Sequence, residues 1–144
     1  MKRILLVLLA VGALAASAAT ATASNGAIVL SFEKQGSVVD SHYVGTATGG
    51  VTVDMQLSDK YYTGNVQHFT ATMRLEWPDG RVLTALLDGR FNGSTGKTVL
   101  NGEVVSGWLA GAQVHEEGQL VAFDSTTLVA TFVGTVQLMP GSAD

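Results

Sequence analysis

The chain contains no cysteine and only two prolines among its 144 residues, and charged side chains make up only 14% of it. Without cysteine it can form no disulfide, has no thiol nucleophile and carries no cysteine for a lipid anchor. Aromatic residues are also few, at 7%, whereas glycine is abundant, with 17 residues. This composition favours a fold that is stabilised by packing and backbone pairing and that bends often.

The first 23 residues predict a secretory signal peptide. Met1-Lys2-Arg3 is a short basic start, residues 4 to 11 are almost wholly aliphatic, and Ala21-Thr22-Ala23 places small residues where a signal peptidase reads them. The apolar run ends near Leu14, too early for the roughly 20 apolar residues of a membrane helix. We therefore predict cleavage after residue 23, secretion to the extracellular space or the periplasm, and no membrane span.

The charge of the remaining chain, residues 24 to 144, argues against anionic partners. Loss of Lys2 and Arg3 would lower the formal net charge from −4 to −6. An acidic surface repels nucleic acid and anionic membranes. We therefore expect no nucleic-acid partner.

One short segment, NGSTGKTV at residues 92 to 99, resembles the end of a phosphate-binding loop. The complete motif needs a glycine five positions before Gly96, and that position is Phe91. Residues 98 to 105 are rich in β-branched side chains and contain a glycine, so they do not predict the helix that must follow such a loop. We predict a hairpin turn here and no bound nucleotide.

Alternation of apolar and polar residues, which is typical of half-buried strands, recurs along residues 24 to 144. It is clearest from Val66 to Trp77, and Pro78-Asp79-Gly80 then predicts a tight turn into a return strand from Arg81 to Phe91. The other predicted strands cover residues 27–33, 37–47, 50–57, 98–107, 112–123 and 127–138. Turns are predicted between them, among others at Gly36 and at Ser58-Asp59-Lys60.

Eight consecutive strands predict an all-β fold, a single-domain eight-stranded antiparallel β-barrel, because closure removes exposed sheet edges. A β-sandwich is the alternative architecture for the same pattern. Residues 24–144 would then form one barrel domain that follows the signal peptide of residues 1–23.

The hairpin around residues 88 to 104 resembles a pattern of the allene oxide cyclase and dirigent barrel superfamily. Asp88-Gly89-Arg90-Phe91-Asn92-Gly93-Ser94-Thr95-Gly96, followed by Gly102 and Val104, is similar to that superfamily's G-x-F-x-G-x-T-G…G-x-V hairpin. The resemblance implies an eight-stranded barrel, often oligomeric, that holds an apolar small molecule in its lumen and needs no bound cofactor. It rests on turn and bend glycines, so it implies the fold and transfers no catalytic residue.

Four titratable residues are the candidates for catalysis: Asp88, Arg90, Glu103 and His115. The first three flank the glycine-rich hairpin and would lie on one face. In the lumen they could shift a pKa or bind a polar group, and on the outside they would be a screened surface cluster. His115 shares a strand face with Glu117, but three histidines in the whole chain do not predict a metal site.

Aromatic residues are the candidates for ligand binding, namely Trp77, Phe91, Trp108 and Phe123. Such residues could line a cavity or fill a solid core. Three functions remain open. The first is a secreted, cofactor-free barrel that binds a small apolar or amphipathic molecule. The second is a cyclase or dirigent-type enzyme that acts in the lumen. The third is a structural or protein-interaction module. The resemblance also implies a possible homo-oligomer.

Overall fold

The computed structural model describes residues 21–22 and 26–141, and their structure is almost entirely β. The predicted signal peptide and its cleavage point lie outside the described residues, apart from Ala21 and Thr22. The described residues form nine strands: β1 (Ala21–Thr22), β2 (Ile28–Ser37), β3 (His42–Ala47), β4 (Val51–Thr63), β5 (Val66–Glu76), β6 (Val82–Asn92), β7 (Lys97–Gly107), β8 (Gln113–Asp124) and β9 (Val129–Met139). A single 3-10 turn, Thr48–Gly50, lies between β3 and β4.

Strands β2 to β9 form a closed antiparallel barrel in which each strand pairs with the next along the chain. The barrel closes through ten residue pairs between β2 and β9, from Ile28 opposite Leu138 to Ser37 opposite Val129. The predicted eight-stranded barrel is thereby confirmed, and the sandwich alternative does not apply. The two residues of β1 pair with Val29 and Ile28 at the start of β2.

The alternation in the sequence sets which side chains enter the barrel. On β5, Phe69, Ala71, Met73 and Leu75 point inward and are buried, and Thr72, between two of them, is exposed outside. Inward glycines let strongly bent strands approach each other. A Cβ atom at Gly45 would lie 1.8 Å from the carbonyl oxygen of Glu33 on the neighbouring strand. The core therefore lies entirely inside one closed sheet.

Two predicted turns are wrong because the chain stays paired through them. Gly36 lies within β2, where a Cβ atom would meet the His42 carbonyl oxygen at 1.8 Å, so this glycine serves close strand approach. The turn follows at residues 38–41, where the Ser37 hydroxyl accepts bonds from the N–H groups of Val39 and Asp40. Ser58-Asp59-Lys60 is a bulge in β4, which continues to Thr63.

The two ends of the barrel differ. At one end Trp77 and Trp108 pack edge to face, with ring centroids 4.7 Å apart, and the Arg81 guanidinium lies 4.0 Å from the centroid of Trp108. Leu109 packs against the same core. At the opposite end the turns 38–41, 64–65, 93–96 and 125–128 surround an opening. The barrel is therefore a cup with one closed and one open end.

Candidate ligand-binding cavity

A cavity of about 480 Å³ occupies the open half of the barrel. Residues from the turns, including Val38, Asn65 and Gly93, lie at its mouth, and Lys34, Met55 and Glu116 lie at its floor. Pockets for small molecules in proteins typically have volumes of about 300–1,000 Å³ and mostly apolar walls. The cavity is thus large enough for a small organic ligand.

Aromatic side chains from four strands form much of the wall: Tyr43, Phe69, Phe91 and Phe132. Tyr43 and Phe132 pack edge to face with centroids 5.7 Å apart, and Phe91 meets Phe132 in the same way at 5.9 Å. Gly89 creates the space for one of these rings, because a Cβ atom there would lie 2.3 Å from the Phe69 ring. Edge-to-face pairs fix ring positions, so the wall is a preformed apolar surface.

The floor carries a buried ion pair between Lys34 on β2 and Glu116 on β8. The Lys34 ammonium lies 2.8 Å from both carboxylate oxygens of Glu116, and the two side chains are 5% and 0% exposed. The third contact of the Lys34 Nζ is the Met55 thioether sulfur at 3.3 Å, and the Phe32 ring centroid lies 4.7 Å away. Bidentate contact and the aromatic neighbour hold the ammonium in place.

Burial of this ion pair is energetically expensive. Removal of two charges from water costs several kcal/mol per ion, and well-packed apolar residues of similar volume are often as stable or more stable. Leu100, which also lines the floor, shows that apolar side chains fit at this level of the barrel. Packing alone does not explain the pair, which makes it the strongest functional signal inside the cavity.

Two hydroxyl-bearing residues add polarity to the cavity wall. The Thr98 hydroxyl is buried, and none of the described residues forms a hydrogen bond with it. It lies against Gly118, where a Cβ atom would approach it to 2.5 Å. Burial raises the pKa of Tyr43 above the usual value for a phenol, so this side chain stays neutral and can donate a hydrogen bond.

The mouth is more polar than the wall. Lys60 donates a hydrogen bond to the Ser41 hydroxyl, and the Gln67 amide donates one to the Tyr62 hydroxyl at 3.0 Å. Asn65 reaches across to the Ser94 hydroxyl at 3.0 Å. The first bond links β4 to the turn 38–41, the second links β5 to β4, and the third joins the turns 64–65 and 93–96 at the opening.

The four predicted catalytic residues all lie on the outer face of the barrel. Asp88, Arg90 and Glu103 are exposed, and the first two border a shallow hollow beside Tyr61 and His68. His115 is half-buried and its two ring nitrogens contact the Asn101 amide oxygen at 2.6 Å and Glu117 at 3.1 Å. None of the four lines the cavity. Their catalytic role stays a prediction, but these side chains lie outside the lumen, so any such role would be at the outer surface of the barrel.

The predicted ligand-binding residues divide between the two ends. Phe91 lines the cavity wall, and Phe123 lines the mouth with half of its surface exposed. Trp77 and Trp108 instead seal the closed end and do not reach the cavity. Among residues 26–141, no cluster of three or more His, Asp or Glu side chains is arranged to hold a metal ion.

Sequence reasoning missed Lys34 and Glu116. Both follow the inward alternation of their strands, since Leu30 and Phe32 precede Lys34 and Val114 precedes Glu116 at two-residue steps. Charged residues at inward positions are rare. The occurrence of Lys34 and Glu116 at such positions was therefore the sequence signal that could have identified them.

Comparison of the chain with protein-family models, with curated proteins and with solved structures gave no match. No helix in the described part of the chain is long and apolar enough to cross a membrane.

Proposed function

We propose that this protein binds a small amphipathic molecule in the open half of its barrel and works outside the cytoplasm. The observation that carries the binding proposal is the apolar cavity of about 480 Å³ with a buried ion pair at its floor. A purely apolar ligand would leave the Lys34 ammonium with the weak Met55 sulfur as its third acceptor, whereas an amphipathic ligand would match both wall and floor. The basic and aliphatic start of the sequence supports export.

The test is a titration with N-phenyl-1-naphthylamine, a neutral dye whose fluorescence rises in an apolar environment. We expect saturable binding of one dye per barrel to the wild-type protein. The variant Ala130→Trp places an indole in the cavity, because Ala130 is buried in its lining. Binding should be lost in this variant.

The matched control is Val121→Trp, which introduces the same side chain at a position that is 47% exposed and does not line the cavity. It should bind the dye like the wild type, and circular dichroism should show that both variants keep their β structure. Equal dye binding by both variants would show that the dye site is not the cavity and would contradict the proposal.

A second candidate function is acid–base catalysis in the same cavity, and the Lys34–Glu116 pair favours it. Enzymes place titratable pairs in water-excluding clefts where the pair can exchange protons with a substrate. The test uses 2-decanone in deuterated buffer, with NMR detection of the protons next to the carbonyl. Faster exchange with wild type than with Glu116→Gln would support catalysis, and equal exchange rates would remove this candidate.

A further inference from the structure

The chemistry of the cavity floor identifies the class of ligand, an inference that rests on the proposed binding function. Lys34 is the group through which the floor can meet a ligand, since it retains 5% exposure whereas Glu116 has none. A lysine ammonium has three donors. Two are directed to the oxygens of Glu116 at 2.8 Å.

The third donor of Lys34 has the weakest partner. It is directed to the Met55 sulfur at 3.3 Å, and a thioether is a weak acceptor. Met55 itself lines the cavity. A ligand oxygen that replaced this sulfur would form a stronger, charge-assisted bond without disturbing the ion pair.

The charge of the ligand's deep end follows from the same geometry. Glu116 already neutralises Lys34, so a second carboxylate would add an uncompensated negative charge in a buried site. A ligand ammonium would be repelled by the Lys34 ammonium at close range. If it replaced Lys34 as the partner of Glu116, Lys34 would be left buried without a counter-charge. The floor therefore accepts an uncharged acceptor only.

We propose that the ligand is an apolar molecule whose deep end carries an uncharged oxygen, such as a hydroxyl, ether, ketone or ester, and that this oxygen accepts a hydrogen bond from Lys34 in place of Met55. Fatty acids and alkylamines with the same chain are excluded from this orientation. The apolar part of the ligand packs against the aromatic wall of the cavity, and its other end lies at the mouth.

The experiment is displacement of N-phenyl-1-naphthylamine from the cavity by decanol, decanoate and decylamine at pH 7.5. A hydrogen bond to a charged group predicts that decanol displaces the dye at concentrations about tenfold lower than either charged probe. In Glu116→Gln the ammonium of Lys34 loses its counter-charge, so the preference should shift toward decanoate by about tenfold. Glu117→Gln, the same change at a neighbouring outward carboxylate, should leave the preference as in wild type.

A second readout uses the wild-type protein and does not depend on the folding of a variant. With the methionine methyl groups labelled with carbon-13, decanol should shift the Met55 signal because Lys34 leaves its sulfur. The signal of Met139, at the closed end of the barrel, should stay in place. At the same concentration decanoate, which is expected to occupy the cavity more weakly, should shift the Met55 signal less than decanol does.

The outcomes separate this inference from the proposed function. Decanoate that displaces the dye as well as decanol does, with a Met55 signal that decanol leaves unmoved, would overturn the ligand class while cavity binding stands. A dye that binds neither wild type nor Val121→Trp would overturn both.

Discussion

At the scale of single residues, we expect the largest change in stability from substitutions in the ion pair at the cavity floor. Replacement of Glu116 by Gln leaves the Lys34 ammonium buried without a counter-charge, and we expect the free energy of unfolding to fall by about 3–5 kcal/mol. Simultaneous replacement of Lys34 by Met and Glu116 by Leu should restore wild-type stability or exceed it. Urea unfolding measures all three proteins, and a double variant as unstable as the single one would contradict this account.

The Thr98 hydroxyl gives a second prediction at this scale. Thr98→Val keeps the shape of the side chain and removes a buried hydroxyl that has no hydrogen-bond partner among the described residues. We expect the free energy of unfolding to rise by about 1 kcal/mol. Thr72→Val, at an exposed position on β5, controls for the higher strand propensity of valine. Equal increases in the free energy of unfolding for both variants would show that burial of the Thr98 hydroxyl does not destabilise the protein.

The cavity floor also shows what the sequence could reveal of the site. Period-2 alternation predicted the strand that begins at Val66, and the apolar residues of that pattern, such as Met73 and Leu75, are buried in the interior. Lys34 and Glu116 interrupt that pattern from strands 82 positions apart in sequence, and only barrel closure brings them within 2.8 Å. Their pairing depends on strand register, which one sequence does not encode locally.

At the scale of strands and turns, glycines determine how closely neighbouring strands approach. In Gly45→Ala the new methyl group would collide with the Glu33 carbonyl oxygen, since the ideal Cβ position lies 1.8 Å from it. We expect a loss of roughly 1 to 3 kcal/mol in the free energy of unfolding. Gly141→Ala, whose Cβ would have its nearest neighbour at 3.7 Å, should change stability little. Thermal unfolding checks both, and equal midpoints would contradict the close-approach role.

The turn after β8 makes stability depend on pH. The Asp124 carboxylate accepts hydrogen bonds from the backbone N–H groups of Thr126 at 2.8 Å and Thr127 at 3.2 Å, and these bonds hold its pKa below the usual value of 3.8. Because the folded-state pKa is lowered, this stabilisation is present above the unfolded pKa and is lost as the pH falls through the folded one.

We therefore expect wild type to lose more stability than Asp124→Asn as the pH is lowered from 7 to about 3. Urea midpoints across that range provide the measurement. Parallel profiles for the two proteins would show that the carboxylate does not stabilise the turn.

The strands also show where sequence reasoning succeeds and fails at this scale. The number and order of the eight barrel strands were predictable because turn residues and alternation are local signals. The end of β4 was missed because Ser58-Asp59-Lys60 resembles a turn, yet Ser58 and Asp59 both bond the Thr70 hydroxyl and keep the bulged strand paired. The real turn is Gly64-Asn65, where Gly64 has a positive φ of 59°.

At the scale of the whole molecule, the barrel is a cup whose two ends have different chemistry. The edge-to-face tryptophans with Arg81 stacked beside them close one end, and the turns at the other end leave an opening onto an apolar wall. The barrel itself could be predicted from the number of strands. Whether its lumen is open depends on strand tilt and on how many inward positions are glycine or bulky, which only the assembled fold shows.

Binding of a small molecule in the barrel can be measured by native mass spectrometry of residues 24–144 incubated with N-phenyl-1-naphthylamine or decanol. We expect a one-to-one adduct that disappears on denaturation, is displaced when the second compound is added in excess, and is absent from Ala130→Trp. A bare protein mass with both compounds, or an adduct that persists unchanged in Ala130→Trp, would show that the cavity does not bind these molecules.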